Sequence, residues 1–116
     1  MHSDFGNKES QFFYELSEYC VSEIEKKMGG KPVSEWRSAD YSSLSSRLGK
    51  QTKVYLSENT LRRILGKLQT SKNYNPQQAT RDALAQFIGH RNWNELGIFY
   101  KLSKQRTEVI PSTNIR

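Results

Sequence analysis

The chain has 116 residues and a mass of 13.5 kDa, with 34% hydrophobic, 26% charged and 11% aromatic residues and a formal charge of +6. That length suits one small domain with a tail, and excludes a Rossmann enzyme, a TIM barrel or a kinase core. One cysteine excludes an intramolecular disulfide framework and a cysteine-based zinc site, and two histidines, His2 and His90, lie too far apart to form a helical metal pair. No apolar run approaches the ~20 residues of a membrane span. Met1-His2-Ser3-Asp4 lacks the basic-then-apolar opening of a secretory signal. A soluble cytoplasmic protein is expected, with no membrane part in this segment and no cofactor.

Residues 7–28 read as a first helix. Phe12, Phe13, Leu16, Cys20, Ile24 and Met28 recur at three- and four-residue steps, with Glu15, Glu18, Glu23, Glu25 and Lys26 mostly elsewhere on the wheel. Asn7 is a candidate N-cap, and Gly29-Gly30 before Pro32 is a stop. Cys20 falls on the apolar stripe, so it reads as a buried inert thiol rather than a nucleophile. Residues 31–39 read as a connector that Trp36 pins to the core, with Ser34 capping a short turn. Asp40 is the expected N-cap of a second helix to about Thr52, with Tyr41, Leu44, Leu48 and Gln51 on one face. Gly49 weakens that helix by up to ~1 kcal/mol relative to Ala.

Lys53-Val54-Tyr55-Leu56 breaks the pattern. Ser57 then caps the clearest element, with Glu58 in its first turn. Leu61, Ile64, Leu65 and Leu68 follow at i, i+3, i+4 and i+7; Asn59, Arg63 and Gly66 centre the opposite face, flanked by Arg62 and Lys67. Residues 69–75 read as a polar loop. Asn75 caps, and Pro76 opens, a fourth helix with Ala79, Ala83, Leu84, Phe87 and Ile88 inward and Gly89 at its end. Asn92 caps a final short helix in which Trp93, Leu96 and Phe99 close the core. The whole reads as all-α: four or five short helices in a compact bundle over residues 1–102, and a flexible tail or linker over 103–116.

The charge is uneven. Residues 1–40 carry a net −3 and residues 41–116 a net +9; the window 47–72 alone is +6, with only Glu58 opposing Arg47, Lys50, Lys53, Arg62, Arg63, Lys67 and Lys72. Such a field attracts polyanions, nucleic acid foremost; the alternative is a solvated basic face. Two helices about four residues apart, the second presenting Asn59, Arg62, Arg63 and Lys67, are the ingredients of a helix-turn-helix. One helix fits the major groove, where Asn pairs with adenine and Arg with guanine. Arg47, Lys50, Lys53, Tyr55, Ser57 and Lys72 are then candidates to hold phosphates.

The helix order resembles the repressor-type helix-turn-helix domains of bacteria and phages. Leu56-Ser57-Glu58-Asn59-Thr60-Leu61-Arg62-Arg63-Ile64-Leu65-Gly66-Lys67, then Ala83-Leu84-Ala85-Gln86-Phe87-Ile88-Gly89-His90 and Trp93, is similar to an N-terminal module of many poorly characterised bacterial proteins. The resemblance covers roughly residues 36–98. It implies a DNA-binding domain of a transcriptional regulator, with residues 57–68 as recognition helix, and repressor-type domains often work as dimers. One departure is Lys53, which stands where such helices often end in Gly. A left-handed backbone there costs Lys about 1–2 kcal/mol, so a distorted or longer turn is expected.

Two other readings stand beside this one. A protein-interaction module would use Trp93, Phe99 and Tyr100 as an exposed docking patch. An RNA or single-strand binder would stack bases on Tyr55 and Tyr74. An enzyme is not expected, for no P-loop, GxSxG, paired-histidine or Cys–His signature is present.

Overall fold

Among the described residues the helical spacing yields five α-helices: α1 (His2–Lys27), α2 (Ser38–Thr52), α3 (Glu58–Thr70), α4 (Gln78–Phe87) and α5 (Trp93–Asn114), with one 3-10 turn, Val33–Glu35, between the first two. The structure is a computed structural model that describes the backbone of residues 2–70 and 75–114 and the side chains of residues 11–70 and 75–104. Among the described residues there is no strand, and the class is all-α.

In α1, Leu16, Cys20 and Ile24 are buried as their spacing requires, joined by Ser17 and Val21, while Phe12, Phe13 and Met28 are half-buried at the margin. The helix begins before Asn7, which lies inside it rather than at its cap. It ends as expected: Gly29 takes φ 113°, and Gly30 N–H reaches back to Glu25 O at 2.8 Å, the six-to-one bond of a Schellman ending. The connector is tied down by Trp36, which is buried, donates its indole N–H to Lys31 O at 2.8 Å and meets Tyr41 edge-on at 5.1 Å. Ser34 caps nothing; it lies exposed within the 3-10 turn, whose cap residue is Pro32.

Helix α2 starts two residues before Asp40. Arg37 occupies the cap position, and the Asp40 carboxylate, one turn in, accepts the Arg37 backbone N–H at 2.8 Å. That bond, with the Lys31 ammonium at 2.9 Å, holds the Asp40 carboxyl below its usual range. Tyr41, Leu44 and Leu48 are buried, but Gln51 is exposed and its amide donates to Gln86 O at 2.8 Å, tying α2 to α4.

Helix α3 lies between α1 and α2 and buries Leu61, Ile64, Leu65 and Leu68. Burying one such side chain contributes about 1.5–3 kcal/mol. Helix α4 starts at Gln78 rather than Pro76. Gln77 is extended at φ −59°, ψ 153°, and Pro76 is buried, so 75–77 stay out of the helix and Asn75 does not cap it. Ala83, Leu84 and Phe87 face inward with Ala85, Ile88 is half-buried, and Ala79 is exposed. Gly89 ends the helix at φ 101°, with His90 N–H on Ala85 O at 2.9 Å.

Asn92 caps α5 as expected, its Oδ1 accepting Glu95 N–H at 2.8 Å, and Trp93 and Leu96 are buried. Phe99 is not; it is 45% exposed. A spacing of three, then three again, rotates it about 120° past Trp93. Tyr100, seven residues after Trp93, faces inward in its place, with ring contacts to Tyr19 at 5.1 Å and Phe12 at 6.0 Å. Helix α5 is neither short nor finished at residue 102. It continues through the stretch expected as a tail to Asn114, and Lys104 pairs with Glu15 at 3.2 Å.

Candidate nucleic-acid interface

The turn between α2 and α3 is built from backbone capping outward. Lys53 takes the left-handed conformation, φ 66° and ψ 13°, the lone positive φ outside glycine among the described residues. Its N–H bonds Gly49 O at 2.8 Å and so closes α2. Residues 54–57 are irregular, giving a five-residue connection in place of the four expected. Thr52 Oγ1 accepts Val54 N–H at 3.2 Å, and Ser45 Oγ donates to Leu56 O at 2.6 Å. Ser57 caps α3: its Oγ accepts Thr60 N–H at 3.1 Å. The amides of Glu58 and Asn59 precede the helix's own bonding and are aimed outward along its axis.

Asn59, Arg62, Arg63 and Lys67 are all exposed, and the wheel of α3 sets them opposite or beside the buried leucines. Their settings differ. Arg62 leans back on α2: its guanidinium lies 4.6 Å from the Tyr41 ring centre, 3.5 Å from Ser38 Oγ and 4.0 Å from the Glu58 carboxylate. That exposed pair is worth at most about 0.5 kcal/mol, so Arg62 keeps its cationic field. Arg63 borders a cleft of about 280 Å³ between α3 and the start of α4, with Thr60, Gln77 and Thr80 around it and Ile64 and Pro76 beneath. Three of the described acids of α1 are occupied elsewhere: Glu15 by Gln11 and Lys104, Glu23 by Lys26, and Glu25 by the Val33 N–H. Gln11 first and Lys104 second lower the Glu15 carboxyl. Among the described ion pairs, no acid of α1 meets Arg62 or Arg63.

The remaining candidates divide. Lys50, Lys53 and Tyr55 are exposed on α2 and its turn, Tyr55 by 72%. Residues 41–57 contain no carboxylate. Arg47, also exposed, is engaged by other elements. Its Nη1 approaches Met28 Sδ at 3.1 Å, and it shares the buried Phe87 ring with Lys27, at 5.6 and 5.0 Å. It therefore covers the core where α1, α2 and α4 meet. Lys72 and Tyr74 lie outside the described residues.

Ser38 beneath Arg62 and the contact of Tyr55 with Gly49 were not legible in the sequence. Each joins residues of two elements, and a periodicity reading sees one element at a time. Elsewhere, α5 exposes Ile98, Phe99 and Leu102 beside an apolar groove of about 180 Å³ over Phe12, Phe13 and Gly97. Among the described residues no group of three or more metal-binding side chains occurs, and no helix is long and apolar enough to cross a membrane. Burial pushes the Cys20 thiol up to about 12, which removes it as a nucleophile.

Comparison of the chain with family models, with curated proteins and with solved structures found no match in any of the three.

Proposed function

We propose that the chain is a double-stranded DNA-binding domain, a bacterial transcriptional regulator or part of one, which works in the cytoplasm by laying α3 in the major groove. The observation that carries this reading is the outer face of α3: Asn59, Arg62, Arg63 and Lys67 exposed on a helix whose opposite face is fully buried. A groove of B-DNA accepts one helix of this bulk, and long donors are what guanine edges and phosphates accept. Asn59 and Arg63 read base edges, with Lys67 one turn on. Arg62, already turned toward Ser38, serves the backbone of one strand. The amides after Ser57 supply an anion contact at the positive end of the helix. Lys50, Lys53 and Tyr55 extend that contact along α2. Arg47, engaged at Met28 and Phe87, is left out of that contact in this reading.

A fluorescence titration against a random-sequence duplex tests the reading. Binding is expected at low salt and weakens with a log–log slope of about −0.9 per phosphate neutralised. No binding at low salt refutes it. Competition with single-stranded DNA and RNA separates duplex recognition from stacking.

A second reading, a protein-interaction module or homodimer contact, is favoured by one observation, the exposed Ile98, Phe99 and Leu102 on α5. Trp93 and Tyr100 do not contribute, being turned to the core. Sedimentation of the wild type and Phe99→Glu tests it: self-association lost in the variant supports it, and a monomeric wild type rejects the homodimer.

A further inference from the structure

Three features within seven residues run against local preference. Gly49 sits inside a helix, where it is less favourable than almost any other residue. Lys53 holds a backbone conformation that suits glycine. Tyr55 leaves 72% of its surface in water although the core beside it is apolar. Lys53 and Tyr55 are exposed at the junction of α2 and α3, and Gly49 is buried beneath the ring; all three lie in the stretch without a carboxylate. Lys53 caps α2 and Gly49 lies under the ring, and together they leave an aromatic ring standing on the surface, which points to a contact made there.

Two of the three are joined by contact. A Cβ on Gly49 would overlap the Tyr55 ring, so glycine is what lets the ring lie against α2. The backbone on either side of the ring is fixed by the Val54 N–H on Thr52 Oγ1 and by Ser45 Oγ on Leu56 O, and Lys53 N–H closes on Gly49 itself. An aromatic side chain held in an exposed position loses little freedom when a ligand arrives. Ser46 and Lys50, one turn before and one residue after Gly49 on α2, and Lys53 in the turn are exposed hydroxyl and ammonium groups, which suit an anion rather than an apolar partner.

Resting on the DNA-binding reading above, we propose that Gly49 is a positioning residue whose missing side chain forms a notch for Tyr55, and that the notch presets the phenol O–H to donate to a phosphate oxygen of the duplex backbone. Gly49 touches no ligand; it acts through the ring. Lys53 stands two residues before it, in a conformation that turns the chain outward at that point.

The test is a titration of random-sequence duplex with wild type, Gly49→Ala, Tyr55→Phe, Tyr55→Ala and the Gly49→Ala/Tyr55→Phe double variant, at two salt concentrations, with the Tm of each protein. Each single variant is expected to weaken binding about tenfold, the worth of one hydrogen bond to a charged group. The double variant is expected to lose no more than either single. Gly49→Ala is expected to leave the Tm close to that of the wild type, alanine's helix preference offsetting the displacement of the exposed ring. Wild-type affinity in Gly49→Ala, or losses that add in the double variant, overturns the notch. Wild-type affinity in Tyr55→Phe, which removes only a hydroxyl and leaves the packing alone, overturns the phosphate contact. A wild type that fails to bind at low salt refutes the DNA-binding reading itself, and the role of Tyr55 with it.

Discussion

Lys53→Gly is expected to make the protein more stable. Lys53 has φ 66° and is exposed, so the substitution removes little packing. A left-handed L-residue costs about 1–2 kcal/mol that glycine avoids. Glycine's extra freedom in the unfolded chain takes back about 0.5–1 kcal/mol. The net gain is then between about 0 and 1.5 kcal/mol, with a midpoint of about 0.75 kcal/mol, or roughly 2–5 °C in Tm for a domain of this size. A matched control is available in the same helix. Lys50 is also an exposed lysine, but its backbone is helical, so Lys50→Gly should lose about 0.5–1 kcal/mol. Thermal unfolding followed by circular dichroism, with urea titration for the free energies, reads both. If the two substitutions shift stability in the same direction, the left-handed ending of α2 is wrong, and with it the geometry of the turn.

Three other outcomes are expected. Arg63→Ala should lose about 1–3 kcal/mol of duplex affinity at a preferred site and relax sequence choice, while Lys50→Ala weakens all sequences alike and Arg47→Ala leaves binding unchanged; selection from a random duplex pool followed by titration distinguishes these. The Asp40 carboxyl is lowered on folding by the Arg37 N–H and by Lys31, so its contribution is complete above the unfolded value of about 3.9 and is lost as pH falls through the lower folded value. Asp40→Asn should therefore show a shallower fall of Tm below about pH 4 than the wild type, and identical profiles would contradict the assignment. The buried Cys20 thiol, raised to about 12, should resist an aromatic disulfide reagent in the native protein and react fully in denaturant, and labelling of the native protein at the rate of a free thiol would show that α1 is wrongly packed.

Where periodicity is strong, sequence and structure agree residue by residue. Leu61, Ile64, Leu65 and Leu68 are all buried behind a working Ser57 cap, because a single face and a single cap are local properties. Boundaries were less legible. Asn75-Pro76 has the form of a helix start, yet Pro76 is drawn into the cleft beside Ile64 and the helix begins only at Gln78. On α5, the six-residue step from Trp93 to Phe99 suits no helical face, and Tyr100, in register with Trp93, takes the inward place. The exposure of Asn59, Arg62, Arg63 and Lys67 was legible on α3, where it follows from the wheel. It was not legible for Arg47, whose direction depends on where Met28 and Phe87 come to rest after α1 and α4 have docked.

Helix α3 is at once the candidate reader and a member of the core, for Leu61 and Leu65 have no exposed surface at all. Its two faces cannot move independently. Any ligand of the outer face is therefore met by a pre-set blade rather than a yielding one, and the fit cannot be tuned by sliding the helix. A core substitution that loosens the protein changes how many molecules are competent, not how well each competent molecule grips, so apparent affinity falls in proportion to the folded fraction. Activity and melting should then vanish together on heating, as one event.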